Sequence, residues 1–227
     1  MIMAEPQSIF YINEKKTSAG SELAHLLNQC IRSSEKNWDE IVFICIGSDR
    51  ITGDSLGPLV GHHLSQYHWK NIYIYGTLEH PVHALNLETA LTQIKKRHPS
   101  ALYIAVDASL GSKKHVGFIS VGTGPILPGA GVNKELPPVG DIFITGILNM
   151  SGAFEHLMLQ TTRLSSVIRM ADTIVSGIAL AFSCCYEKRC LLPDEWPFQP
   201  DEERRLCWAN DRGFAALSIE SSSGIIC

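Results

Sequence analysis

The sequence predicts an α/β fold in which a mostly parallel sheet carries helices on both faces. Three observations lead there. Short unbroken apolar runs, such as "IVFICI" at Ile41–Ile46, suit strands covered on both sides. Stretches with apolar residues at helical spacing alternate with those runs, which is the order of parallel strands joined by crossover helices. A length of 227 residues is enough for one sizeable domain.

The elements follow in order. About the first twenty residues are the part of the domain expected to be flexible. Glu22–Arg32 places Leu23, Leu27 and Ile31 on one helical face, and Ser21 fits an N-cap. Ile41–Ile46 is the first strand. A helix from Leu59 to Tyr67 follows, with Pro58 near its first turn. "NIYIYG" is a second strand, and "HPVHALNLETALTQIKKRH" is a loop feeding a helix whose last turn is basic, as the helix dipole favours. "ALYIAVDA" is a third strand, ending at Asp107. "HVGFISVG" and "DIFITGIL" are the fourth and fifth, separated by the Gly/Pro-rich loop "TGPILPGAGVNKELPPVGD". From Ala153 to about Cys185 the pattern is helical, in two pieces that meet near Thr162. One domain over 1–188 accounts for these elements. Prolines, clustered charges and a serine-rich end mark 189–227 as a loosely attached extension.

Composition removes several function classes. Net charge is −4 and the basic residues are scattered, so no nucleic-acid surface is expected. The start carries Glu5 and no apolar core of leader length, and "IVSGIALAFSCC" is shorter than a spanning helix. A soluble, intracellular protein is therefore expected, with no membrane partner. Seven cysteines include no CxxC pair, which favours reduced thiols over a metal knuckle, with Cys45 as a small core residue. Neither a metal nor another cofactor is expected.

The loop after the first strand, "GSDRITGDSLGP", resembles a phosphate cradle until its spacing is counted. Five residues separate Gly47 from Gly53, where a P-loop has four, and Asp54 stands where the lysine belongs. Gly47, Gly53 and Gly57 are also too widely spaced for a dinucleotide fingerprint. What remains is a turn at a strand end carrying Asp49, Arg50 and Asp54. Asp107 closes another strand, so parallel strands would bring Asp54 and Asp107 to one crevice. Two such acids can share a proton and work as an acid/base pair. They could equally hold a metal with a histidine, or cap the turns that follow them.

At these residues the chain resembles a known family. "CIGSDRITGDSLGPLVG", "YGTLEHPVHALNLE", "IAVDASLG" and "LPGAGVNKELPPVGDIFITGILNMSG" look like the YyaC family of sporulation proteins, over about Ile41–Phe182. The same segments resemble the spore germination protease: "DSLGP" at Asp54–Pro58, the strand ending in Asp107 and Ala108, and "PGAGV" at Pro128–Val132. A more distant similarity is to the hydrogenase maturation proteases. The resemblance implies a three-layer α/β/α sandwich of the phosphorylase/hydrolase-like (HybD-like) type. It implies a peptidase in which Asp54 and Asp107 are catalytic, acting on a peptide or a spore protein in the cytoplasm of a sporulating cell or spore. The competing expectation is a non-catalytic sporulation factor that binds a peptide or protein in the same crevice. A nickel-reading role is disfavoured, because only His115 lies close after Asp107 and none lies in the glycine loop. Candidate substrate-binding residues are Asp49, Arg50, His83, Gly129, Gly131 and Lys134. The substrate and the oligomeric state are not legible.

Overall fold

A computed structural model describes residues 8–129, 136–152 and 154–183. All of them belong to the first of the two units into which the chain divides, Met1–Leu191 and Leu192–Cys227. Among the described residues, the strands are β1 (Ile9–Asn13), β2 (Glu40–Cys45), β3 (Ile72–Tyr75), β4 (Ala101–Gly111), β5 (Phe118–Thr123) and β6 (Ile142–Met150). The helices are α1 (Ala19–Arg32), α2 (Leu56–Leu64), α3 (Leu87–Arg97), α4 (Glu155–Gln160) and α5 (Leu164–Ala181).

One sheet contains all six strands in the order β1-β5-β6-β4-β2-β3. β6, β4, β2 and β3 run parallel, while β5 is antiparallel to both of its neighbours. The period of two along β2 explains its unbroken apolar run. Ile41, Phe43 and Cys45 face one layer, and Val42 and Ile44 face the other. The first layer holds α1, α2 and α5, and the second is built on α3. The fold is the mostly parallel three-layer α/β/α sandwich that the sequence predicts. Its chain order places a switch point between β2 and β4. The crossover through α2 leads from β2 to β3 on one side, and the crossover through α3 then returns to β4 on the other. Open α/β sheets bind ligands at such a point, beyond the carboxyl ends of the strands.

Several expectations need correction. Residues 9–13 are not a flexible start. They form edge strand β1, because Ile12 is buried and Phe10 packs on the same core. Helix α1 begins at Ala19, with Ser18 rather than Ser21 at the cap position. Helix α2 begins at Leu56, so Pro58 lies in its first turn. Strand β4 does not end at Asp107. It continues to Gly111 because β6 keeps pairing with it, with a register shift after Ser109. The extension over 189–227 lies outside the described residues, as do the cysteines from Cys184 onward. Helix α5 is long and apolar enough to cross a membrane by length and composition, and half of it is buried in the fold.

Candidate active site

Strand β2 ends at Cys45, and Ile46 still bridges to Val82 and donates its N–H to the Val106 carbonyl at 2.7 Å. The chain turns away at Gly47, whose φ is +142° and whose N–H donates to the Val82 carbonyl at 2.8 Å. A side chain on Gly47 would strike the main-chain carbonyl of Asp54, and one on Gly57 would strike the main chain of Ile46. These glycines let the loop fold back onto the strand and onto itself. The Ser48 N–H closes the loop on the Asp54 carbonyl at 3.1 Å. Asp54 thereby sits in a single 3-10 turn, Gly53–Ser55, ahead of α2. No side chain caps α2, so Asp54 is not its cap.

Asp107 arrives from the sheet. Along β4, Ala101, Tyr103 and Ala105 face the α3 layer, and the same parity carries Asp107 to that face. Pairing with β2 stops at Val106, while pairing with β6 continues. Asp107 is therefore the first β4 residue without a β2 partner, at the mouth that β2 vacates. Its carboxyl is buried and accepts the Ala108 N–H at 2.7 Å.

Asp54 and Asp107 line one cavity of about 80 Å³. Burial pushes Asp107 well above the usual carboxylate range, and the charge of Asp54 pushes it further, against the Ala108 N–H. Burial also raises Asp54, but the Ser48 N–H and the nearby His83 and His156 pull it back. Both carboxyls are thus raised, Asp107 the further of the two, so Asp54 is the first of the pair to ionise.

The remaining candidates divide. Gly129 lines the cavity. His83 is half-buried beside Ala84, a lining residue, and its Nδ1 accepts the Leu85 N–H at 3.3 Å. Asp49 and Arg50 are exposed and do not line the cavity. Both lie at the outer tip of a loop whose base is held by Gly47 and Asp54, so they face solvent. Gly131 and Lys134 lie outside the described residues. His156 lines the cavity with Leu159, one helical turn apart on α4, and escapes sequence reasoning. Its ring meets the Gln160 amide at 2.9 Å. Asn149, near the end of β6, holds α4 in place by donating to the Met158 carbonyl at 2.9 Å. Among the described residues, no group of three or more His, Cys, Asp or Glu side chains is arranged to hold a metal ion.

Residues 10–177 match the model of a family described as "Protein of unknown function (DUF1256)". The chain is similar to a curated relative from Bacillus subtilis (strain 168) named "Uncharacterized protein YyaC", with 45% identity over 170 residues, 75% of this chain and 82% of the relative. Among solved structures it is similar to the [NiFe] hydrogenase maturation protease HycI from Thermococcus kodakarensis KOD1. That likeness has a TM-score of 0.47 at 18% identity and covers 70% of this chain and 99% of the other. The chain belongs to the DUF1256 family.

Proposed function

We propose that this family member is an aspartate-dependent peptidase of sporulation, acting in the cytoplasm of a sporulating cell or spore. One observation carries the chemistry. Two carboxyl groups from separate elements share a cavity at the switch point of the sheet, both raised by burial, Asp107 well above the usual range and further by the charge of Asp54. The assignment to sporulation rests on the motif resemblance.

On this reading Asp54, as carboxylate, takes a proton from a water whose oxygen attacks the carbonyl carbon of the peptide bond. Asp107, as neutral acid, gives its proton to the carbonyl oxygen. In the collapse of the tetrahedral intermediate the C–N bond breaks. The nitrogen receives the proton held on Asp54, and Asp107 recovers one from the hydroxyl. Both groups return to their starting states. His83 and His156, close to Asp54, favour its carboxylate form.

A cleavage assay tests the proposal. An extract of spore proteins is incubated with wild type, Asp54→Asn and Asp107→Asn. The peptidase reading expects discrete fragments with wild type and none with either folded variant. Equal cutting by the variants would remove the acid pair from the mechanism. An absence of fragments would leave the crevice as a binding site for a peptide or protein.

A further inference from the structure

The cavity is small for its setting. At about 80 Å³ it has room for the main chain and a glycine- or alanine-sized group, against roughly 300–1,000 Å³ for a site that engulfs a drug-sized ligand. Its surroundings are unusually apolar. Among the described residues, the three most exposed large hydrophobic side chains are Leu85 (87%), Leu127 (77%) and Phe154 (70%). All three adjoin lining residues along the chain. Leu85 follows Ala84, Leu127 precedes Pro128, and Phe154 lies two residues before His156. Leu157, directly after His156, is also exposed. These residues come from three separate segments: the loop before α3, the loop after β5, and the start of α4. Scattered apolar residues are normal on a surface, but here the three most exposed all lie within two residues of a side chain that lines the acidic cavity.

We propose that this apolar rim and small cavity select the substrate: a polypeptide segment with a small residue at the acids, flanked on both sides by large apolar residues. The inference rests on the crevice being a substrate site and names the class of sequence it takes. The cavity admits the small residue and its peptide group to Asp54 and Asp107. The rim covers the flanking side chains, which would otherwise stay in water. A bulky residue at the centre would hold the main chain away from the acids. A polar segment would leave Leu85, Leu127 and Phe154 exposed.

Binding tests this independently of cleavage, in an Asp54→Asn background that does not turn over. Three labelled peptides share two lysines at each end and differ in their central five residues: Leu-Leu-Gly-Leu-Leu, Leu-Leu-Trp-Leu-Leu and Ser-Ser-Gly-Ser-Ser. The first is expected to bind at least about tenfold more tightly than the other two. Adding Leu85→Ser, Leu127→Ser and Phe154→Ser together should remove that preference, with the melting temperature retained because these side chains are exposed. Equal binding of the three peptides would overturn the proposal, as would an unchanged preference in the rim variant. A concentration-dependent dimer of the unmodified protein that the rim variant abolishes would give the rim to a second copy and would also overturn it. If the preference holds while the wild type cuts nothing, the recognition stands and the peptidase reading alone fails.

Discussion

The charge on Asp54 bears directly on Asp107. The first reaches the cavity from the 3-10 turn after β2 and the second from the sheet, and the charge of the first makes ionisation of the second harder. Burial is the larger influence on Asp107 and the neighbouring carboxylate the second. Five expectations follow from this arrangement and its supports.

The buried acid sets a pH dependence of stability. The folded-state pKa of Asp107 is raised, so the folded chain holds a proton that the unfolded chain loses first. The stability contributed by that proton is full below the unfolded carboxylate range and is lost as pH rises through the folded value. Asp107→Asn, which keeps the shape without the ionisation, should be more thermostable than wild type at neutral pH and level with it near pH 3. The gain in melting temperature should be about 2–4 °C for each kcal/mol relieved. Thermal melts across pH decide it, and a gap that does not grow with pH counts against a buried, neutral Asp107.

Activity should follow a bell. The acidic limb reports the ionisation of Asp54 and lies above the ordinary carboxylate range, because burial raises that group. The alkaline limb reports the loss of the Asp107 proton. A cleavage profile flat from acid to neutral pH would be incompatible with these roles.

His83 and His156 both favour the ionised form of Asp54. Replacing either with Ala should move the acidic limb to higher pH and leave the alkaline limb nearly in place. His156→Ala should do so without loss of stability, since the side chain is exposed. The comparison of the two limbs in each variant is the readout, and an immobile acidic limb would separate the histidines from Asp54.

The loop geometry depends on bare backbone. Gly57→Ala should cost about 2 kcal/mol or more, because its Cβ would drive into the Ile46 main chain. Gly152→Ala is the control, with no atom within 4 Å of the added carbon. Denaturant melts of the two variants should differ plainly.

Asn149→Ala should cost about 1 kcal/mol for the lost bond to the Met158 carbonyl. With α4 loosened, the wall bearing His156 and Leu159 is less fixed. KM should therefore rise more than kcat falls, and an unaltered KM would show that α4 holds its position without Asn149.

Much of the fold was legible because β2, β4 and β6 are buried on both faces and read as unbroken apolar runs. The two acids were legible because Asp107 directly follows such a run and Asp54 stands in the glycine-framed turn after another. β1 was not, since only Phe10 and Ile12 carry its inward face and the flanking residues are polar. The continuation of β4 past Asp107 was hidden because it depends on β6, far along the chain, rather than on local sequence. The prominence given to Asp49 and Arg50 followed from their nearness to Asp54 in sequence, whereas the turn at Gly47 leaves them facing solvent. His156 was missed because α4 has six residues, too few for a convincing helical period. Its pairing with Leu159 one turn on was the only available signal.

The most direct test of the shared site is a carboxyl ¹³C NMR titration of Asp107 in wild type and in Asp54→Asn. The account predicts that Asp107 titrates well above the ordinary carboxylate range in wild type. It also predicts that the value falls when Asp54 loses its charge and stays raised by burial. An Asp107 that titrates in the ordinary range, or is indifferent to Asp54→Asn, would contradict the paired site.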